Sequence, residues 1–173
     1  MRSSAFRLET LSDLHERSFF RCGEDALDRY FQTQVTQDIR RRVANCFVAV
    51  EAATGDVAAY YTISSAGIPL VDLPADENKR LPRYPTVTAT RIGWLAVDQR
   101  FQGHGLGAAI LADAATRALR ADAAAFALLV DARNDRAVTF YQRYGFRTLV
   151  SQPRTLFLSL ATAQKVLLQK EAY

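Results

Sequence analysis

The glycine-rich hexapeptide from Gln102 to Gly107, Gln-Gly-His-Gly-Leu-Gly, has the residue types that a phosphate-binding turn requires. It lies between a predicted strand, Val87 to Val97, and a helical stripe of apolar residues that begins at Leu106. Glycines let a ligand approach the backbone closely, and the N–H groups at a helix N-terminus favour phosphate. The sequence therefore predicts a phosphate-binding turn, with an ordinary tight turn as the alternative.

Two other phosphate-binding motifs fit this turn less well. No Gly-Lys-Ser/Thr follows the glycines, so the turn is not a Walker A loop. Gly103-x-Gly105-x-x-Ala108 does match the loose dinucleotide fingerprint, and Asp131 ends the next predicted strand. A dinucleotide-binding fold, however, needs several more strand–helix units than the short remainder of the chain can supply.

Three blocks of the sequence together resemble the GNAT family of acyl-CoA N-acyltransferases. They are Gln102-x-x-Gly105-x-Gly107, which is similar to the family's pyrophosphate signature, Gly93-Trp94-Leu95-Ala96-Val97-Asp98, which resembles its bulged fourth strand, and Asn134-x5-Phe140-Tyr141-x3-Gly145-Phe146. The blocks follow the family's order and spacing across roughly residues 44–150. The resemblance implies an α/β GNAT fold, with a mixed, mostly antiparallel sheet flanked by helices in one domain over residues 1–173, and acetyl-CoA as co-substrate.

The resemblance also implies a role for individual residues. Tyr141 matches the tyrosine that protonates the departing thiolate, and Asn134 matches a side chain that binds the cofactor's arm. The other implied acetyl-CoA contacts are Leu95, Ala96, Val97, Gln102, Gly103, His104, Gly105, Leu106 and Gly107. A buried aromatic in the middle of a helix is the alternative for Tyr141, and no metal is implied.

Further segments resemble the GNAT toxins of type II toxin–antitoxin modules. These are Phe20-Arg21-Cys22-Gly23, Leu27-Asp28-x-Tyr30, Tyr60-Tyr61-Thr62 and Pro82-Arg83-Tyr84-Pro85. Such toxins acetylate the amino group of aminoacyl-tRNA and are inhibited by a ribbon-helix-helix antitoxin. The resemblance therefore implies an aminoacyl-tRNA substrate and such an antitoxin as partner, and leaves a homodimer open. This chain has Trp94 where the subgroup usually has Arg, and Arg91 three residues earlier.

The predicted fourth strand lacks a carboxylate that could serve as a general base. No Asp or Glu lies between Glu77 and Asp98, and we expect His104 to contribute its backbone rather than a base. An α-amino group, with a pKa of about 7.7–8.0, needs a base much less than a lysine side chain does. This favours aminoacyl-tRNA as the acceptor. The alternatives are acetylation of a small-molecule or peptide amine, and a binding module without turnover.

Arginine supplies most of the positive charge of the chain. Lys and Arg total 22 against 18 acidic residues, for a net charge of +4, and only three of the 22 are Lys. The planar guanidinium suits phosphate oxygens, which indicates a polyanionic ligand. The candidate substrate residues are Arg40, Arg41, Arg42, Arg83, Arg91 and Trp94. A solvated helix end is the alternative for the first three.

The groups named above require a scaffold of alternating strands and helices. The predicted elements are a strand at 6–8, a helix from Ala26 to Val43, a hairpin of 46–50 and 57–63, a proline-rich loop at 66–85, the strand and helix that flank the glycines, a strand at 125–130, a helix at 134–144 ended by Gly145, strands at 146–150 and 155–159, and a helix at 162–170. This order predicts an α/β layered domain.

Composition agrees with a single globular domain. The 173 residues are 49% hydrophobic and 23% charged. Two cysteines and two histidines predict neither a disulfide framework nor a zinc site. Met1 to Arg7 lacks the apolar stretch of a signal peptide, and the longest apolar run, 123–130, is too short to cross a bilayer. We therefore expect a cytoplasmic protein.

Overall fold

The structure, a computed structural model, describes residues 5–168. Its strands are β1 (Phe6–Thr10), β2 (Asn45–Glu51), β3 (Val57–Pro69), β4 (Thr86–Val97), β5 (Ala127–Asp131), β6 (Arg147–Thr148) and β7 (Thr155–Ser159). Its α-helices are α1 (Asp25–Arg29), α2 (Val35–Arg40), α3 (Ala75–Asn78), α4 (Leu106–Arg120), α5 (Asp135–Arg143) and α6 (Leu160–Val166). No helix among the described residues is long and apolar enough to cross a membrane.

The strands form one mixed sheet in the order β1-β2-β3-β4-β5-β7-β6. The β1–β2, β2–β3, β5–β7 and β6–β7 pairs are antiparallel, whereas β4 and β5 are parallel. The fold class predicted from the sequence is therefore confirmed. Contacts between Cα atoms divide the described chain into two compact units, one of residues 5–64 and 93–113 and the other of residues 65–92 and 114–168.

In the first unit, the helix predicted from Ala26 to Val43 has an apolar stripe, Leu27, Phe31, Val35, Ile39 and Val43, and forms a helical segment with an unusual middle. Its apolar residues recur every four positions, but an α-helix turns once in about 3.6 residues, so such a stripe drifts around a regular helix. A π-helical turn at Tyr30–Gln34, with its wider i→i+5 spacing, absorbs the excess. Leu27, Phe31 and Val35 consequently all remain buried.

The same helical segment ends earlier than the sequence predicts. Helix α2 ends at Arg40, and Val43, which was expected on the buried stripe, is 57% exposed. Arg42 has a φ of +60°, and its N–H donates to the carbonyl of Ile39 at 3.0 Å. The N–H of Val43 donates to the carbonyl of Asp38 at 3.0 Å. These two bonds are those of a Schellman motif, which terminates a helix.

The second unit contains the proline-rich segment, which is more ordered than a loop. Strand β3 extends to Pro69, and a 3-10 turn at Leu70–Asp72 and helix α3 follow. The prediction of a loop over 66–85 is therefore wrong for its first half. Burial of Ile68, Leu70 and Leu73 explains the order, because these side chains anchor the segment in spite of its prolines.

The later elements of the second unit follow the sequence patterns more closely. Strand β5 is buried along four of its five residues, and helix α5 is followed by Gly145 at a φ of +92°. The predicted strand at 146–150 is reduced to β6 (Arg147–Thr148). Helix α6 begins and ends earlier than predicted, and the end of the predicted helix, residues 169–170, lies outside the described residues.

Candidate active site

The glycine turn of the first unit presents backbone N–H groups that have no acceptor among the described residues. Helix α4 begins at Leu106, and the N–H of Ala109 donates to the carbonyl of Gly105 at 3.2 Å. Within residues 5–168, the N–H groups of residues 103–108 donate no hydrogen bond. Residues 102–105 are exposed. Unused donors at the N-terminus of a 15-residue helix can bind a phosphate group.

Glycine is required in this turn by the path of the backbone. Gly103 and Gly105 have φ angles of +83° and +77°, in the left-handed region that other residues rarely adopt. A Cβ atom at either position would meet nothing within 4 Å, so crowding by the protein is not the reason. The open space on this side is available to a ligand.

Asp98, which the sequence argument did not select, orders the chain just before the turn. Its carboxylate is 1% exposed and accepts hydrogen bonds from the N–H groups of Arg21 and Arg100 at 3.0 and 2.9 Å. Burial alone would raise the pKa of Asp98. Hydrogen bonds from the Arg100 side chain and from both N–H groups outweigh burial, so the pKa of Asp98 lies below its usual value. Asp98 is therefore an ionised anchor for the turn.

Gln102 acts as a second anchor. Its Nε2 donates to the carbonyl of Val97 at 2.9 Å and to that of Cys22 at 3.0 Å. The N–H of Gln99 also donates to the carbonyl of Arg21, at 2.8 Å. The segment at Arg21 and Cys22, identified in the sequence only as part of a toxin-like motif, thus supports the turn. Gln102 supports the predicted cofactor site with its side-chain nitrogen rather than by offering that nitrogen to a ligand.

Within the first unit, strand β4 contacts Thr62 closely at Gly93 and Trp94. The N–H of Trp94 donates to Oγ1 of Thr62 at 2.9 Å. A Cβ at Gly93 would lie 2.9 Å from the same oxygen, so no larger residue fits there without displacing Thr62. Leu95 and Val97 are half-buried and Ala96 is buried. Their predicted contacts with the cofactor's arm stay a prediction.

Asn134, in the second unit, is the N-cap of helix α5. Its Oδ1 accepts a hydrogen bond from the N–H of Ala137 at 2.9 Å, which satisfies one free donor of the helix. Asn134 is exposed, and its side-chain NH2 group has no hydrogen bond to another described residue. The side chain is therefore fixed in orientation and still has donors for a ligand.

Tyr141 lies on the same helix, with its ring buried. It is 8% exposed and packs at 5.2 Å from Phe140 and 5.4 Å from Phe146, measured between ring centroids. Its hydroxyl makes no hydrogen bond within the described residues, yet no buried side-chain polar atom there lacks a partner. The hydroxyl must therefore reach solvent. Burial, with a smaller effect from the charge of Asp131, raises the pKa of Tyr141 to about 12.

The predicted substrate residue Arg91 is already paired in the second unit. Its guanidinium donates to the carboxylate of Asp131, the last residue of β5. Asp131 also accepts a hydrogen bond from the hydroxyl of Thr155 at 2.9 Å. An anionic substrate would have to compete with this carboxylate, so Arg91 is less suited to bind one than the sequence suggests.

The other predicted arginines differ in their freedom to bind phosphate. Arg40, Arg41 and Arg42 are exposed at the end of α2 and make no side-chain hydrogen bond or ion pair within the described residues. Arg83 is also exposed, but its guanidinium donates to the side-chain and main-chain oxygens of Asn78, at 2.8 and 3.2 Å. The cluster Arg40–Arg42 is therefore the better candidate for a polyanion contact.

Two other kinds of chemistry find little support. The described residues contain no group of three or more His, Cys, Asp or Glu side chains that could hold a metal ion. Burial raises the pKa of Cys22 to about 11 and that of Cys46 to about 12. Both are therefore thiols at neutral pH, whereas a cysteine nucleophile reacts as the thiolate.

The chain is similar to known acetyltransferases in sequence. The family described as "Acetyltransferase (GNAT) domain" matches residues 83–156. A "tRNA-acetylating toxin" of Mycobacterium tuberculosis (strain ATCC 25618 / H37Rv) is 30% identical over 160 residues, or 91% of this chain and 93% of the relative. A "Probable toxin TacT" of Sinorhizobium fredii (strain NBRC 101917 / NGR234) is 28% identical over 162 residues, or 88% and 90% of the two chains.

Solved structures give the same result. "AtaT complexed with acetyl-methionyl-tRNAfMet" has a TM-score of 0.83 and 27% identity, over 92% of this chain and 98% of the other. "AtaTR bound with AcCoA" has a TM-score of 0.77 and 26% identity, over 93% and 97%. The family expected from the three sequence blocks is confirmed. Because the mycobacterial relative is 30% identical over nearly all of both chains, this protein belongs to the GNAT family of acetyltransferases and is a homologue of that tRNA-acetylating toxin.

Proposed function

We propose that this protein transfers the acetyl group of acetyl-CoA to the α-amino group of an amino acid esterified to tRNA, and so blocks translation. The relationship to a tRNA-acetylating toxin along nearly the whole chain carries the proposal. The solved structure of AtaT in complex with acetyl-methionyl-tRNAfMet, at a TM-score of 0.83, supports the same acceptor. Acetyl-CoA supplies the thioester. The residues of this chain bind acetyl-CoA and protonate the leaving thiolate.

The glycine turn is proposed to bind the pyrophosphate of acetyl-CoA. The unused N–H groups of residues 103–108 match the need of phosphate oxygens for several donors. The positive end of the α4 dipole adds to the attraction. The arm would then lie along Leu95, Ala96 and Val97. In the second unit, the side-chain NH2 of Asn134 is a further donor that a ligand could use.

Tyr141 is proposed to be the acid that protonates the leaving thiolate. The amine nitrogen bonds to the acetyl carbon, the C–S bond breaks, the sulfur takes the phenol proton, and the extra proton on nitrogen passes to water. A pKa of about 12 keeps Tyr141 protonated throughout the physiological range and returns its proton from solvent after each cycle. Its hydroxyl has no competing partner within the described residues.

The acceptor amine can lose its own proton without a protein base. An α-amino group titrates at about pH 7.7–8.0, so a useful fraction is neutral near pH 7. We therefore expect kcat/KM to rise with pH until the amine is deprotonated. Tyr141 should cause no fall on the alkaline side below about pH 11, because its pKa is about 12. A fall near pH 9 that disappears in Tyr141→Phe would contradict this assignment.

The exposed arginines at the C-terminal end of α2 are proposed to contact tRNA phosphates. Arg40, Arg41 and Arg42 are consecutive and lack internal partners among the described residues. Double-stranded RNA is recognised largely through its backbone and shape, which suits such a cluster. Arg83 would contribute only after leaving Asn78.

The partner and the compartment follow from the proposed activity. A protein that blocks translation must be inhibited while its host grows, and we propose a ribbon-helix-helix antitoxin as the inhibitor. Aminoacyl-tRNA is used in the cytoplasm, so we propose that the protein acts there.

Binding of the cofactor can be tested separately from turnover. Acetyl-CoA should raise the melting temperature, since it binds the native state, whereas NAD and ATP at the same concentration should not. Incubation with total aminoacyl-tRNA and labelled acetyl-CoA should then label the RNA fraction. Stabilisation by NAD alone would contradict the cofactor assignment. If small or peptide amines are labelled but RNA never is, those amines are the substrates and the tRNA proposal is wrong.

A further inference from the structure

The only tryptophan of the chain, Trp94, lies on β4, and one face of its ring is covered by a second ring. The rings of Trp94 and Tyr30 are stacked, with centroids 4.2 Å apart and planes 6° from parallel. Tyr30 in turn lies against Tyr60, which stacks on Phe31 at 4.2 Å and 3°. Trp94 is thus the outer member of a column of four aromatic rings.

Hydrogen bonds hold this column in one arrangement. The hydroxyl of Tyr30 donates to Oδ2 of Asp38 at 2.8 Å, and that of Tyr60 donates to the carbonyl of Leu27 at 2.6 Å. The backbone N–H of Trp94 donates to Oγ1 of Thr62, which ties down the main chain at this residue. The indole ring itself stacks on Tyr30, so part of its order is already present before any ligand packs on it.

Part of the indole remains available to a ligand. Trp94 is only half-buried, and Tyr30 covers one of its faces. The indole N–H has no hydrogen bond within the described residues, and no buried side-chain polar atom there lacks a partner. The N–H edge must therefore be accessible to solvent. The exposed part of the side chain belongs to an uncharged, mainly apolar ring with a single hydrogen-bond donor.

We propose that Trp94 is the wall against which the side chain of the esterified amino acid packs, and that it selects apolar, thioether or aromatic side chains. This inference rests on the proposed function. Trp94 directly precedes Leu95, at the start of the segment proposed to hold the acetyl-CoA arm. The α-amino group must reach the thioester there, which brings the side chain, one bond from the α-carbon, to the same part of β4.

The chemistry of the wall sets the expected order of substrates. Aromatic rings and thioether sulfur each gain contact energy on an indole face, equivalent to as much as roughly tenfold in binding. Glycine has no side chain to make this contact. An aspartate side chain would lose hydration beside a surface that offers no positive charge. Phenylalanine and methionine should therefore exceed glycine by up to about tenfold in kcat/KM, and aspartate should be the poorest.

The experiment charges one tRNA body with phenylalanine, methionine, glycine or aspartate, so that only the amino acid varies. Initial rates of acetylation are compared for the wild type, Trp94→Phe, Trp94→Ala and the control Phe19→Ala, which removes a ring that is 75% exposed elsewhere in the first unit. We expect the order to persist in Trp94→Phe and Phe19→Ala and to collapse in Trp94→Ala. A Trp94→Ala enzyme with an unchanged order would overturn the inference.

Fluorescence of the wild type gives a second readout that needs no variant. Because Trp94 is the only tryptophan, its emission reports on this wall alone. Without acetyl-CoA, phenylalanyl-tRNA should change the emission more than the same tRNA without an amino acid. Equal changes would place the amino acid elsewhere and overturn the inference. If the wild type acetylates none of the charged tRNAs, the proposed function itself fails, which is a different outcome.

Discussion

Replacement of Arg42 by glycine should stabilise this protein and weaken its binding of tRNA at the same time. Among the described residues, Arg42 is the only one other than glycine with a positive φ, +60°. It occupies the position after a helix end where glycine is usual, because a Cβ clashes in the left-handed region. Such a residue costs roughly 1–2 kcal/mol in that conformation.

Arg41 provides a matched control for the size of this effect. It carries the same charge at the same helix end, but its φ is −75°, an ordinary value. Arg41→Gly and Arg42→Gly lose the same side chain, and both acquire the flexibility of glycine in the unfolded chain. Their free energies of unfolding should therefore differ by about the left-handed strain alone, roughly 1–2 kcal/mol in favour of Arg42→Gly. For a domain of this size, each kcal/mol corresponds to about 2–4 °C in melting temperature.

The assay combines thermal unfolding with tRNA binding at several salt concentrations. If both arginines contact phosphates, each variant should bind charged tRNA more weakly and reduce the slope of log affinity against log salt by about one. Acetyl-CoA binding should be unchanged. Equal melting temperatures of the two variants would refute the strain argument. Slopes equal to that of the wild type would refute the phosphate contacts.

Three further substitutions test other parts of the site. Tyr141→Phe should lower kcat by about 10²–10⁴-fold. The melting temperature should change little, because the hydroxyl has no partner within the described residues. If a rapid-quench experiment that isolates the chemical step shows an unchanged kcat, Tyr141 has only a structural role. Gly105→Ala and the control Gly55→Ala both place a side chain at a φ near +78°. Both should therefore lower the free energy of unfolding by roughly 1–2 kcal/mol. Only Gly105→Ala should weaken acetyl-CoA binding in a calorimetric titration. The native pKa of Asp98 is lowered, so its stabilising effect is present above the unfolded value of about 3.9 and is lost as pH falls through the native value. Urea unfolding between pH 2 and 6 should show a shallower acid loss for Asp98→Asn than for the wild type, and parallel curves would contradict the anchor role.

The sequence predicted the elements whose signals are local. Glycines between an apolar strand and an apolar helical stripe are sufficient to place a turn, and the structure has β4, the turn and α4 in that order. Asn134 and Gly145 likewise mark the two ends of α5. Each of these residues affects only the few residues next to it in the chain, so the turn and the helix ends could be predicted without knowledge of the tertiary structure.

The features that the sequence did not predict depend on distant partners. The bonds from Gln102 to Cys22 and from Arg21 to Asp98 each join residues about eighty positions apart in the chain. The pairing of Arg91 with Asp131 gives a carboxylate partner to an arginine that the sequence had offered as a substrate contact. The left-handed Arg42 gave no signal either, because glycine is the usual residue there. Only the four-residue apolar spacing that begins at Leu27, longer than a helical turn, hinted at the π-helical turn.

The central claim is that the acetyl group goes to the α-amino group of an amino acid on tRNA, and the product itself tests it most directly. Charged tRNA is incubated with acetyl-CoA and the protein and digested to its terminal nucleoside, and the aminoacyl-adenosine is identified by mass spectrometry. The same tRNA without an amino acid and the variant Tyr141→Phe are the controls. The proposal predicts one acetyl group on the α-nitrogen of the amino acid, none on the uncharged tRNA, and little with the variant. Aminoacyl-adenosine without acetyl, from a preparation that binds acetyl-CoA and acetylates free amines, would contradict it.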